Sequence, residues 1–214
     1  IIPAGMEIMD KALTKATNDF SKAGYPMDAE AMMIIELDGT DSEVSELIST
    51  VEVIAEKNKC SSVKISKSDA ERSKFWAGRK AAFPACAELA PDYMCMDGSI
   101  PRGKLSEVLK EIQKLSDKYD LPVANAFHAG DGNLHPLIMF NANDPEQLKK
   151  TEEFGAEILK YCVKVGGALT GEHGVGIEKR ELMCEAFNDT DIQQQLKIKI
   201  ALDPNSLLNP GKVY

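Results

Sequence analysis

Residues 123–140 read VANAFHAGDGNLHPLIMF, two apolar runs joined by a loop of glycine, aspartate and asparagine. Gly130, Asp131, Gly132 and Asn133 tolerate positive φ and close tight loops, so VANAFH and HPLIMF are predicted to pair as an antiparallel hairpin. If the strands pair directly at the mouth of the loop, His128 and His135 become cross-strand neighbours on one face. Such neighbours have Cβ atoms about 4.5–5.5 Å apart, within reach of one shared ion.

Moving outward, helical and strand patterns alternate. Ile8, Leu13, Ala16, Phe20 and Ala23 keep helical spacing up to Gly24-Tyr25-Pro26. AMMIIEL at 31–37 suits a buried strand, and Asp41 is placed to cap a helix with Val44, Leu47, Ile48, Val51 and Ile54 on one face. SSVKIS at 61–66 alternates as a half-buried strand would. A helix from Ser68-Asp69 carries Phe75, Trp76 and Arg79 towards Pro84, and YMCMDGSIP at 93–101 reads as a strand. Leu105, Val108, Leu109, Ile112 and Leu115 define an amphipathic helix, and Asp144-Pro145 opens another with an N-cap and a first-turn proline. The expected class is α+β: an antiparallel sheet with helices packed on one face, plus a helical C-terminal segment.

A formal net charge of −9 on 214 residues argues against nucleic acid, whose phosphates need a basic face. No apolar run approaches the roughly 20 residues that span a bilayer. The start, IIPAGMEIMD, has no signal-peptide pattern and no Met, which suggests a processed chain or a piece of a longer one. Five cysteines without CxxC spacing point to reduced thiols of a cytoplasmic protein, not to a disulfide frame or an iron–sulfur cluster.

The chain has three histidines, and the third sits in a second glycine-rich motif, TGEHGVG at 170–176. Neutral imidazole is the commonest metal ligand, and zinc-type sites often add one carboxylate, which makes Glu172 the natural third ligand beside His128 and His135. Glu172 and His173 are adjacent, so their side chains are expected to diverge, leaving His173 to face substrate as a general base. No Walker loop or dinucleotide fingerprint is present.

HAGDGNLHPLI, TGEHGVGIEKRELM, FWAGRKAAFP and DPNSLLNPGK together resemble the C-terminal region of the FAD-linked oxidases of vanillyl-alcohol-oxidase type. Within that family, GMEIMD, AGYPMDAEA and MDGSIPR are most similar to the glycolate- and D-lactate-oxidising members. The resemblance implies a ferredoxin-like substrate lobe covering residues 1–214, with the FAD-binding domain outside this chain. It implies His128, His135 and Glu172 as ligands of a divalent metal (Zn, Mn or Fe), His173 as the base, and Arg79 as the group that pairs with substrate carboxylate. Asn209 and Lys212 of the terminal NPGK are implied to lie near flavin. Dicarboxylate-oxidising relatives carry a threonine and a lysine where this chain has Phe83 and Cys95, which favours a small monocarboxylate.

The expected reaction is oxidation of a 2-hydroxy acid to a 2-oxo acid with hydride passing to FAD, an iron–sulfur subunit being a candidate acceptor. The expected location is the cytoplasm or the inner face of its membrane. Two other readings of the same residues are a free-standing metal-dependent hydrolase and a non-catalytic interaction lobe.

Overall fold

The computed structural model describes residues 1–213. Its first half runs β1 (Gly5–Asp10), α1 (Lys11–Ser21), β2 (Ala31–Glu36), α2 (Asp41–Lys57), α3 (Asp69–Lys80), α4 (Ala82–Ala85), β3 (Asp92–Cys95) and β4 (Gly98–Ser99). The second half runs α5 (Leu105–Tyr119), β5 (Val123–His128), β6 (Asn133–Phe140), α6 (Pro145–Lys164), α7 (Met183–Ala186) and α8 (Asp189–Leu202).

The predicted hairpin is β5–β6, and it forms the middle of one antiparallel sheet of order β2-β1-β5-β6-β3, with β4 also on β6. From β4 onward the chain runs β4–α5–β5–β6–α6 and returns to bridge Ala168 to Ser99. That is a βαββαβ unit, the ferredoxin-like arrangement, with β1 and β2 extending the sheet beyond β5.

Alternation along the strands sorts side chains between two faces. Phe127, Leu134, Ile138 and Phe140 pack with Val108, Ile112 and Leu115 of α5 and with Phe154, Ile158 and Leu159 of α6. This is the helical layer expected on one face. The other face is covered as well: Met9, Ala124, Ala126, Leu137 and Met139 pack with Leu13 of α1 and Ala82 of α4. All eight residues of β6 are therefore buried, so HPLIMF reads as a continuous apolar run. Burying one large apolar side chain contributes about 1.5–3 kcal/mol, so these two layers dominate the stability of the lobe.

Local signals explain most boundaries. Asp144 accepts from the N–H groups of Glu146 and Gln147, with Pro145 in the first turn, as predicted. Thr40, not Asp41, caps α2 in a reciprocal box with Glu43. Ile8 belongs to a strand, and the helix starts only after Asp10, whose carboxylate caps it at Leu13 N–H; the helical spacing through Ile8 was coincidental. AMMIIE forms a strand but not a buried one: among the described residues β2 is an edge of the sheet, and Met33 and Ile35 are exposed. Residues 61–66 form no strand: alternation does not fix a backbone that has no ladder partner. Among the described residues no helix is long and apolar enough to cross a membrane.

All five cysteines are free. Burial pushes the thiols of Cys86, Cys95 and Cys162 up to about 11, 12 and 12, whereas Cys60 and Cys184 are exposed. We expect iodoacetamide at about pH 8 to alkylate Cys60 and Cys184 in the native protein and the other three only after denaturation. Mass mapping checks this; native labelling of Cys162 would contradict the packing of α6.

Candidate functional site

The α1-side face of the sheet continues past its helices at the loop end, and there the polar residues gather. Strand parity places Glu7 with Met9, His128 with Ala126 and His135 with Leu137, all on this face. Glu7 is the direct ladder partner of His128. On the other side of β6, Cys95 pairs with Leu137 and Gly98 with Leu134, one register that sets Asp97 opposite His135. The ladder breaks between β3 and β4 where Pro136 has no N–H to donate, and Met96 N–H bonds to the Pro136 carbonyl alone.

Asp97 has no solvent exposure. Its carboxylate accepts from the Thr170 hydroxyl (2.5 Å), from the N–H groups of Gly171, Glu172 and His173 (2.8–3.2 Å), and from Lys179 Nζ (3.1 Å). Burial alone would raise its pKa. The donors from Thr170, His173, Glu172 and Lys179 overcome that and hold it well below the usual carboxylate range. The TGEHGVG segment is thus a nest of backbone N–H groups wrapped round one buried anion. A Cβ at Gly171 would lie 2.3 Å from Asn133 Oδ1, so any larger residue there displaces the Asn133 amide.

This wrapping turns Glu172 and His173 the same way, where divergence was expected. Glu172 Oε1 lies 3.1 Å from His135 Nε2, 3.6 Å from His128 Nε2 and 3.8 Å from His173 Nε2. The His135 ring lies 5.0 Å from that of His128 and stacks 5.1 Å from that of His173. His128 and His135 are diagonal rather than direct neighbours, since a four-residue loop pairs His128 with Asn133 and Ala126 with His135. The diagonal still brings the rings together on one face. Burial, with His128 adding to it, pushes the pKa of His135 down, which favours the neutral ring.

Ligands about 2.0–2.2 Å from one tetrahedral ion lie about 3.3–3.6 Å apart, close to the spacing of these nitrogens from Glu172. Donor atoms of Asp97, His135, Glu172 and His173 all fall within 4.8 Å of one another. The nest crowds Asp97 Oδ2, whereas Oδ1 accepts from Glu172 N–H alone and lies 3.7 Å from His135 Nε2. His128 falls outside this group of four and meets it through Glu172. The geometry does not by itself separate His173 from the ligand set.

Arg79, on α3, is buried and does not stand free: its Nε and Nη2 bond Glu7 Oε2 at 3.0 and 2.9 Å. Glu7 Oε1 contacts His128 Nδ1 at 2.7 Å. No partner holds Arg79 Nη1 among the described residues. Phe83 packs 6.0 Å from the His135 ring. Asn209 and Lys212 are exposed and bonded to each other, and the C-terminal segment is tied to the second motif by Val213 N–H on the Gly176 carbonyl.

Sequence reading missed Glu7, Asp97 and Lys179. The available signal was a charge in an otherwise apolar strand: Glu7 falls in phase with Met9 in GMEIMD, and Asp97 interrupts YMCMDGSI.

Residues 1–213 match the family model described as FAD linked oxidases, C-terminal domain. The chain belongs to this family. It is 52% identical over 212 residues to the glycolate oxidase subunit GlcD of Escherichia coli K12, covering 99% of this chain and 42% of the relative. It is 29% identical over 214 residues to the probable mitochondrial D-lactate dehydrogenase of Danio rerio, covering 98% and 42%. The chain therefore spans under half the length of these curated relatives. The 4-ethylphenol oxidase of Gulosibacter chungangensis shares the fold, with a TM-score of 0.67 at 15% identity over 98% of this chain and 47% of that one. Membership leaves the free-standing metal-dependent hydrolase without support.

Lys179 and Asp97 are both buried, so Asp97→Asn strands a cation in the interior. We expect a loss of about 3–5 kcal/mol in urea unfolding, reduced in Asp97→Asn/Lys179→Met. The stabilisation from Asp97 is complete above about pH 4 and fades as pH falls below it, because the unfolded carboxyl then takes up the proton first. The variant should flatten that acid limb; a loss under about 1 kcal/mol would contradict the nest as the anchor.

Proposed function

We propose that residues 1–214 are the substrate-binding lobe of a flavin-dependent 2-hydroxy acid oxidoreductase. Its substrate is a small monocarboxylate, glycolate or D-lactate, oxidised to the 2-oxo acid. The observation that carries this reading is the convergence of three imidazole nitrogens on one Glu172 oxygen, on the same face as a buried arginine, in a chain of the FAD-linked oxidase family.

The site is a wall rather than an enclosed pocket: the Glu172 and His173 side chains are 53% and 45% exposed. An open polar face suits a lobe closed over by a flavin-carrying domain outside this chain. FAD, when bound there, supplies the acceptor for hydride from the substrate C2. Asn209 and Lys212, tied near Gly176, are assigned to the flavin side of the wall. His128, His135 and Glu172 would hold a divalent ion (Zn, Mn or Fe), whose chemistry is to lower the pKa of the substrate hydroxyl.

The chain's own residues do the rest. Arg79 orients the substrate carboxylate, with Glu7 fixing the guanidinium so that little freedom is lost on binding. His173 takes the hydroxyl proton as C2 gives up hydride. Phe83 and Cys95 offer no second carboxylate a cationic partner, which supports a monocarboxylate. The E. coli relative is itself a subunit, which supports a partner protein, assigned as an iron–sulfur subunit, as electron acceptor. A cytoplasmic location, or one at the inner face of the membrane, suits that reading.

Anaerobic mixing of the complete flavoprotein with glycolate or D-lactate should bleach the flavin, and D-2-hydroxyglutarate should not. His173→Ala should keep FAD bound but slow that reduction by about 10²–10⁴-fold. Undiminished reduction in that variant would remove His173 from the base role.

A further inference from the structure

Glu7 lies in neither glycine-rich motif, yet both of its carboxylate oxygens are committed to site residues. Oε2 receives Arg79 Nε and Nη2 at 3.0 and 2.9 Å, and Oε1 sits 2.7 Å from His128 Nδ1. The Glu7 side chain is 11% exposed, and its backbone is paired with that of His128 in the β1–β5 ladder. Neither the carboxylate nor the ring can swing away without breaking a contact on the other side.

An ionised carboxylate only accepts hydrogen bonds. The bond at 2.7 Å therefore requires the proton of neutral His128 on Nδ1, which leaves the Nε2 lone pair free. Nε2 is the nitrogen that faces Glu172. Metal-binding imidazoles are oriented in this manner by a partner on the far nitrogen.

We propose that Glu7 is the positioning residue of the site: it sets the tautomer and orientation of His128 and, through its second oxygen, locks Arg79 in the same frame. The proposal rests on reading His128, His135 and Glu172 as a divalent-ion site. It couples the metal-facing and carboxylate-facing halves of the site through one side chain.

The test uses the complete protein stripped of metal. At about pH 8, ¹⁵N-histidine NMR should show the Nδ1–H tautomer at His128. Zinc titration against a chromophoric chelator should show one high-affinity site. In Glu7→Gln, whose amide can turn either its oxygen or its NH₂ to the ring, the tautomer should become mixed and zinc affinity should fall about 10–100-fold. Glu7→Leu/Arg79→Met removes both partners of the buried ion pair, avoids stranding Arg79, and should lose zinc affinity to the same extent. Equal zinc affinity in the parent protein and the variants would overturn the role of Glu7 while leaving the ion site intact. Absence of zinc binding in the parent would overturn the ion-site reading and this proposal together. An Nε2–H tautomer in the metal-free parent would overturn the proposal whatever the variants do.

Discussion

Asp97 is a carboxylate with no exposure to water, met by three consecutive backbone N–H groups, a threonine hydroxyl and a buried lysine. The path of the second glycine motif follows from satisfying that anion. Unpaired, it would cost several kcal/mol, so residues 170–173 curl round it. That curl aims Glu172 and His173 at His135. The loop is held by contacts to the sheet rather than by its glycines, which merely permit the path. The second motif can therefore sit on an open surface and still present its side chains in fixed directions.

The sheet supplies the other half of the geometry by parity alone. The ferredoxin-like unit of β4, α5, β5, β6 and α6 buries the even-numbered residues of β6 against two helices. The odd-numbered residues then face the layer built by α1 and α4, and at the loop end, where that layer stops, the odd positions are Asn133 and His135. A one-residue slip of β6 would send the histidine into the α5–α6 core and Leu134 to the site. Register is thus a functional constraint, pinned by apolar side chains on both faces.

How much of this could be read from the chain depends on whether a role is local. The hairpin, the caps of α6 and the amphipathic α5 are written in neighbouring residues and were legible. So were the histidines and Glu172, because turn-forming glycines surround them. Glu7 and Asp97 were not, since each acquires its role from residues far away in sequence: Glu7 from His128 across a ladder, Asp97 from the loop donors and lysine of residues 170–179. Arg79 was found by resemblance, but its commitment to Glu7 was invisible until α3 was placed over β1. The misread Ile8 and the absent strand at 61–66 have the converse cause, a short periodicity that no tertiary partner supports.

The charges of the site are unevenly compensated. Arg79 is paired with Glu7 and Lys179 with Asp97, each pair buried and balanced. Glu172 is different: in this contact network its carboxylate meets only imidazoles. With the three rings neutral, Glu172 carries the one charge of this hub that no buried cation balances. If the substrate is the proposed 2-hydroxy acid, that charge repels its carboxylate, and Arg79, already shared with Glu7, offsets only part of the repulsion. On the proposed reading, a divalent ion held by Glu172 would reverse that sign and favour the incoming carboxylate. Substrate affinity and ion occupancy would, on that reading, then be linked, each strengthening the other.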